Sequence, residues 1–326
     1  MRIRSMRHGQ RSLPTAVIPL FVAVAILGYV AGHAHSGGES SEAPRTAKGA
    51  HVLIEYPAGW RPVASSTRIP GLAIAHPQLI VPRARHAGVG LIVGTLPAGE
   101  LGPLPRAFVS RLRRLPQTAV VDLVEAQAYR YAQFSGPGLG EPLTVFVIPN
   151  PGGHPTALVC YAPAQARQYM QQCEQAVSGV TVIGQSQVYQ LAPEREYATK
   201  ISASISPLDR LRVSLKRQLQ PQVTAERARQ LATQLAAGFA QAGASLSHLE
   251  AATPAAPLQS ALSSSIRRAR DGYAALAAAA GERSASGYTA AQKRISLAES
   301  DVDWALENFV LLGYSPALRG VAGSKP

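Results

Sequence analysis

Carboxylates, histidines and cysteines are the side chains with which this chain could do chemistry, and for each type the closest grouping can be weighed in turn. Glu299, Asp301, Asp303 and Glu307 form the one dense acidic group. Glu299 and Asp303 are four apart, as are Asp303 and Glu307, so a helix stacks these three on one face. Carboxylates so placed could meet a cation, but a regular helix lacks the glycine turn and loop carbonyls of a calcium site. Lys293 and Arg294 lie one to two turns earlier, and the expectation is a solvated, charge-balanced face. His33 and His35 form an HxH pair in a small, polar stretch, and two imidazoles with no further ligand nearby hold a metal weakly.

The two cysteines, Cys160 and Cys173, make a poor metal site. Two thiolates leave a zinc tetrahedron unfinished, and the nearest candidate ligand, His154, belongs to a turn. In an oxidising compartment the pair reads as a disulfide. Gly136 to Glu141, GPGLGE, has glycine spacing reminiscent of a phosphate loop, yet it lies between two strand patterns with Pro137 inside, and it reads as a turn. No GxxxxGK[ST], HExxH or GxSxG occurs. The eight histidines are scattered, so no catalytic, cofactor-binding or metal residue is assigned.

What positions these residues begins with Ser12 to Gly32, an uncharged run of 21 residues. As a helix it rises about 31 Å, enough to cross a bilayer core. Arg2, Arg4, Arg7 and Arg11 precede it and the first charges after it are Glu39 and Glu42, which keeps residues 1–11 cytoplasmic and exports the rest. A cleavable signal peptide is the competing reading, with small residues at Gly32 and Ala34; the length of the run favours the anchor. Cell-membrane localisation follows, single-pass with the main body extracytoplasmic, or secretion if the segment is cleaved. Residues 33–49 read as a flexible linker.

Composition narrows the partners. The net charge is +13, with 16% charged and 6% aromatic residues. The excess is spread, with ten basic and six acidic residues over 50–190 and sixteen and eleven over 191–326. A spread excess suits loose attraction to an anionic wall polymer or lipid surface and argues against a specific nucleic-acid groove.

From residue 50 to 185 short β-type runs alternate with turn signals: HVLIEYP, GLAIAHPQLIVP, VGLIVGTLP, TAVVDLVEA, AYRYAQFSG, LTVFVIP, TALVCYAP and GVTVIG. Asn150 to Pro155 supplies hairpin chemistry. Pro105 to Leu115, with Phe108, Leu112 and Leu115, and Pro163 to Val177, with Tyr169, Met170, Cys173 and Ala176, read as helices. This order predicts an α+β layer fold with an antiparallel sheet. Cys160 ends the strand that leads into the helix bearing Cys173, so a disulfide would staple helix to sheet. Trp60 reads as a lid on the sheet core.

The opening Glu55 to Trp60, EYPAGW, with the sheet and closing helix that follow, is similar to exported bacterial domains of the PsbP-like fold. The stretch from Cys160 to Val182 resembles the paired-cysteine ending of such domains in actinobacterial envelope proteins. The resemblance covers residues 50–185; it implies accessory or binding roles and transfers no active-site residues.

After a connector at 186–205 the composition turns to Ala, Leu, Gln and Arg. Ser206-Pro207 reads as a helix start, and Leu208, Leu211, Leu215 and Leu219 mark a short leading amphipathic helix ended by Pro221. Longer stripes follow over 223–250, 253–280 and 288–312, predicting an all-α antiparallel three-helix bundle within 206–313 and a loose tail at 314–326. Beside the leading stripe stand Arg210, Arg212, Lys216 and Arg217. If exposed, this helix would be a membrane or partner surface; otherwise the stripe is core.

The expected function is a non-catalytic, membrane-anchored envelope protein that binds or scaffolds an envelope partner. The alternatives are an exported enzyme with a site assembled from distant residues such as His86, Asp122 or Glu125, and an extracytoplasmic sensor.

Overall fold

The computed structural model describes residues 45–314, apart from 50, 65–67, 85–87, 98–100, 136–141, 151–153, 184–189, 220–221 and 252. The expected membrane segment Ser12–Gly32, the His33/His35 pair, the GPGLGE turn, His86, Pro221 and the tail beyond Tyr314 lie outside the described residues. Among the described residues, no helix is long and apolar enough to cross a membrane.

The fold is α+β with antiparallel sheets and a helical C-terminal region. Seven strands make the main sheet, in the order β3-β4-β5-β9-β8-β7-β6. They are β3 (Trp60–Val63), β4 (Ala75–Pro82), β5 (Gly90–Thr95), β6 (Thr118–Asp122), β7 (Gln127–Ser135), β8 (Pro142–Ile148) and β9 (Thr156–Tyr161). A small sheet pairs β1 (Arg45–Lys48), β2 (Val52–Tyr56) and β10 (Thr181–Val182), in the order β1-β2-β10. Part of the expected 33–49 linker is therefore ordered strand, because Arg45 to Lys48 finds the free edge of β2.

The period of two along each strand gives the main sheet two buried faces. Leu143, Val145 and Val147 of β8 and Ala157 and Val159 of β9 join one apolar cluster, which continues into the helical region. Phe146, Ile148, Leu158 and Cys160 point the other way, toward Val52, Ile54, Cys173 and Val177. That second face carries α2 (Arg167–Ser178) and the small sheet. Cys160 and Cys173 are bonded there, with Cα atoms 5.9 Å apart, so the bridge ties α2 to β9. Trp60 is buried on this side; its Nε1 donates to Gln172 Oε1 at 3.2 Å and its edge meets Tyr169.

The first helix, α1 (Arg106–Val109), is a single turn where two or three were expected. Beyond it the amides of Arg111 and Leu112 bond three residues back, to Phe108 and Val109, so the chain winds as turns while still burying Phe108, Val109 and Leu112.

The helical region comprises α3 (Arg195–Lys216), α4 (Ala225–Ser247), α5 (Ala256–Gly281) and α6 (Ala285–Leu311). The expected stripes are its core: Leu231, Leu235 and Phe239 on α4, Leu262, Ile266 and Tyr273 on α5, and Ile295, Val302 and Phe309 on α6 are all buried. Thr224 and Ser284 cap α4 and α6 by accepting from the amides of Arg227 and Gly287. A β-carbon on Gly272 would come within 2.9 Å of Ile295 Cγ1, a measure of how closely α5 and α6 approach.

The expected start at Ser206-Pro207 is corrected. Pro207 lies inside α3, which begins twelve residues earlier at Arg195. Proline in a helix interior costs about 3 kcal/mol. Burial of Tyr197, Ile201 and Ile205 upstream holds the helix together across the gap, and Ser206 Oγ donates to the Ser202 carbonyl at 2.7 Å. Half of the expected connector is thus helix. Tyr314, expected at the start of the tail, is buried between Tyr197 and Phe309, with ring centroids 5.5 and 5.6 Å away.

The C-terminal end of α6 seats the helices on the sheet. Tyr131 Oη donates to the Leu311 carbonyl at 2.7 Å, and Thr118 Oγ1 to the Val310 carbonyl at 3.2 Å. From the sheet side, the α1 residue Arg106 reaches α6 by donating to Ser300 Oγ at 3.0 Å, with its guanidinium over the Trp304 ring at 5.5 Å.

Candidate functional site

Glu299 is the residue on which the site is built. Placed on α6 four residues before Asp303, it projects its carboxylate toward α3, where Arg212 and Lys216 are also four apart. Glu299 Oε1 accepts from Arg212 Nε at 3.3 Å and from Tyr273 Oη at 2.9 Å, and Oε2 accepts from Lys216 Nζ at 2.5 Å. Arg212 also donates through Nη1 to Asp303 Oδ1 at 3.2 Å. Glu299 and Arg212 are 5% and 8% exposed, so an oppositely charged pair lies largely buried among helices whose inward faces are mostly apolar.

The electrostatics follow the burial. Burial opposes the charge on Arg212, but Glu299 and Asp303 outweigh it, and the guanidinium pKa is raised. The Tyr273 hydroxyl is pushed well above its ordinary value by burial, then by the Glu299 carboxylate that it donates to. Asp209, one turn before Arg212, has its carboxyl pKa raised by burial; Arg212 pulls it down and Asp303 pushes it further up. Its carboxylate makes no hydrogen bond or ion pair among the described residues.

These groups floor an open cleft of about 730 Å³. Its walls come from α3, α5 and α6, and its rim from Arg106 and Ser110 at the sheet side. The Lys216 ammonium is about half exposed, and Glu299 takes one of its three N–H groups. Such a floor offers donors and acceptors of both signs within one hollow. It suits a polar ligand that carries opposite charges, or one that alternates donor and acceptor groups.

The acidic group expected to be a solvated face is corrected at its first member. Glu299 is buried and neutralised from α3, because α3 packs over that face of α6. Asp303 stays half exposed, and Asp301 is paired with Arg268 at 2.9 Å. Among the described residues no three His, Cys, Asp or Glu side chains are placed to hold a metal ion.

The leading-helix residues divide by face. Leu208 and Leu215 are buried, as is Arg212; Leu211 is half-buried, and a β-carbon on Gly238 of α4 would meet its Cδ2 at 2.3 Å. Leu219 is half-buried, while Arg210, Lys216 and Arg217 are exposed. The leucine stripe is therefore core within this chain, and what α3 contributes to the site is its Arg212–Lys216 edge. Asp122 ends β6 and Glu125 lies on the β6–β7 turn; both are exposed, Asp122 accepts from Gln127 Nε2 at 2.8 Å, and neither lines the cleft described above. Arg106, Asp209 and Trp304 belong to the site and were missed. The usable signal was the pair of matched spacings, Arg212/Lys216 against Glu299/Asp303, with opposite signs on two helices of one region.

No family model matches the chain, and no curated protein matches it. Among solved structures, a Bacteroides thetaiotaomicron VPI-5482 protein is similar over 71% of this chain and 77% of its own, with 10% identity and a TM-score of 0.29. A likeness at that level carries no argument about fold or function.

Proposed function

We propose that this protein is a non-catalytic binding module of the cell envelope, tethered by Ser12–Gly32, whose ligand site is the cleft floored by Glu299, Arg212, Lys216 and Asp303. In this reading the sheet is a PsbP-like accessory layer, and the helices are a three-helix bundle with α3 leading. An envelope component, whether a small molecule, a protein segment or an anionic wall polymer, is the partner.

The observation that carries the reading is the buried charge pair opening onto a roomy hollow. Burying Arg212 and Glu299 is a poor way to stabilise a helical core, since apolar residues of similar volume do as well or better. A ligand site gives these charges a use. Binding is favoured over catalysis because the floor groups are engaged with each other: Glu299 accepts three hydrogen bonds, and Ser300 Oγ already accepts from Arg106.

The test is a thermal-shift screen of charged and zwitterionic small molecules on the full chain, repeated on Lys216→Ala. Compounds that raise the melting temperature of the wild type and lose that effect in the variant support the reading. A full chain that no compound stabilises, or that responds equally in both forms, contradicts it.

A further inference from the structure

A second hollow of about 540 Å³ lies along the same helices, toward the N-terminal end of α6. Leu219 and Gln292 line both hollows, so the two are contiguous. From Trp304 in the first to Ala285 in the second, α6 rises about 28 Å. The character of the lining changes along that length. At the Trp304 end stand Lys216, Asp209, Asp303 and Arg106; at the other end eight of eleven lining residues are apolar, five of them alanine. Alanines contributed by three helices line this hollow, and their short methyl groups give an apolar surface along which an unbranched methylene chain can lie.

We propose that the combined groove binds a single-chain zwitterionic phospholipid, a lysophosphatidylethanolamine or close relative. Its phosphodiester meets Lys216 and Arg106, its ammonium meets the Asp209 and Asp303 carboxylates, and its acyl chain lies in the alanine-lined slot. The inference rests on the binding reading above and narrows it to one ligand class. Charge complementarity fixes the head: both signs are present at the cleft, and Asp209 has no hydrogen-bonding partner among the described residues. The apolar continuation fixes the tail, since a purely polar ligand leaves the slot unused.

The experiment is a native mass spectrometric titration of the full chain with palmitoyl lysophosphatidylethanolamine below its micelle concentration. Glycerophosphoethanolamine, which is the head alone, is the control. Two variants accompany the wild type: Lys216→Ala at the head site, and Ala285→Trp, an exposed position at the slot that the indole would fill without disturbing the core. The expected result is one lysolipid per chain, weakened at least about tenfold by either variant, because head contacts and several buried methylenes each contribute that much. The head alone should bind more weakly and be indifferent to Ala285→Trp. Equal binding of lysolipid by wild type and Ala285→Trp, with loss only in Lys216→Ala, overturns the lipid assignment and leaves the polar cleft standing. No lysolipid binding at all overturns the assignment too, and the thermal-shift screen then decides the binding reading independently.

Discussion

The Tyr131 hydroxyl, on β7 next to the edge strand of the main sheet, donates to the carbonyl of Leu311, the last residue of the last helix, across 2.7 Å of buried space. This single bond closes the chain over 180 residues and marks where the helical region meets the sheet. Tyr131→Phe should lower stability by about 1 kcal/mol, the net worth of one buried hydrogen bond, and leave Leu311 with an unpaired carbonyl. Denaturant unfolding of the full chain, followed by tryptophan fluorescence and by circular dichroism, checks it.

Gly102 and Asn308 give a sharper test of the same junction. A β-carbon on Gly102 would stand 1.5 Å from Asn308 Oδ1, a buried atom with no hydrogen-bond partner among the described residues. Gly102→Ala should therefore destabilise by about 1–3 kcal/mol through overpacking. Adding Asn308→Ala should recover part of that loss, giving a non-additive double-mutant cycle. Additive losses in the same denaturant measurement would separate the two residues.

The buried pair makes an asymmetric prediction. Glu299→Gln leaves Arg212 charged and buried, its remaining carboxylate partner the half-exposed Asp303 with Asp209 one turn away, and should cost about 3–5 kcal/mol. Arg212→Met combined with Glu299→Met should cost far less, because neither charge remains. Chemical denaturation of the three proteins distinguishes a coupled pair from two independent contributions.

Asp209 sets a pH signature. Its pKa is raised in the folded protein, chiefly by burial, so the folded state holds its proton to higher pH than the unfolded chain does. Between the unfolded and the raised folded value the native state binds more protons, and this group's contribution to stability falls as pH rises. Asp209→Asn should therefore be more stable than wild type at pH 7. The advantage should vanish below the ordinary aspartate value of about 3.9. Melting temperatures of both proteins across that range report the sign directly.

Cys160→Ser opens the bridge between β9 and α2. Closing a loop of this length is worth about 3 kcal/mol in the chain-entropy model, and the loss should appear as a lower melting temperature. Thiol counting under denaturing conditions should find none in the wild type.

Much of the fold was legible because its periodicities are strong. The alternation in LTVFVIP and TALVCYAP marked two adjacent strands, and the four-residue steps through Leu231, Leu235 and Phe239 and the seven-residue steps through Ile295, Val302 and Phe309 marked helices whose buried faces are those stripes. Trp60–Val63 and Arg45–Lys48 escaped because strands of four residues carry too little pattern, and Arg45–Lys48 owes its conformation to the edge of β2. Pro207 misplaced the start of α3, since proline is usual at a first helical turn and the buried Tyr197, Ile201 and Ile205 that override it act through tertiary packing. The site was half legible. Glu299 and Asp303 stood out as neighbours on one helix face, and Arg212 and Lys216 were named among the basic residues beside the leucine stripe, but that the two sets meet is a fact of packing between residues some 85 positions apart.

Hydrogen exchange on the full chain, with and without a compound that stabilises it, bears most directly on the cleft as the ligand site. Binding should slow exchange together in residues 106–110, 209–219 and 292–307, which supply residues to the same cleft. Protection confined to the β1-β2-β10 face of the sheet, or to the β6–β7 turn around Asp122 and Glu125, would contradict the account.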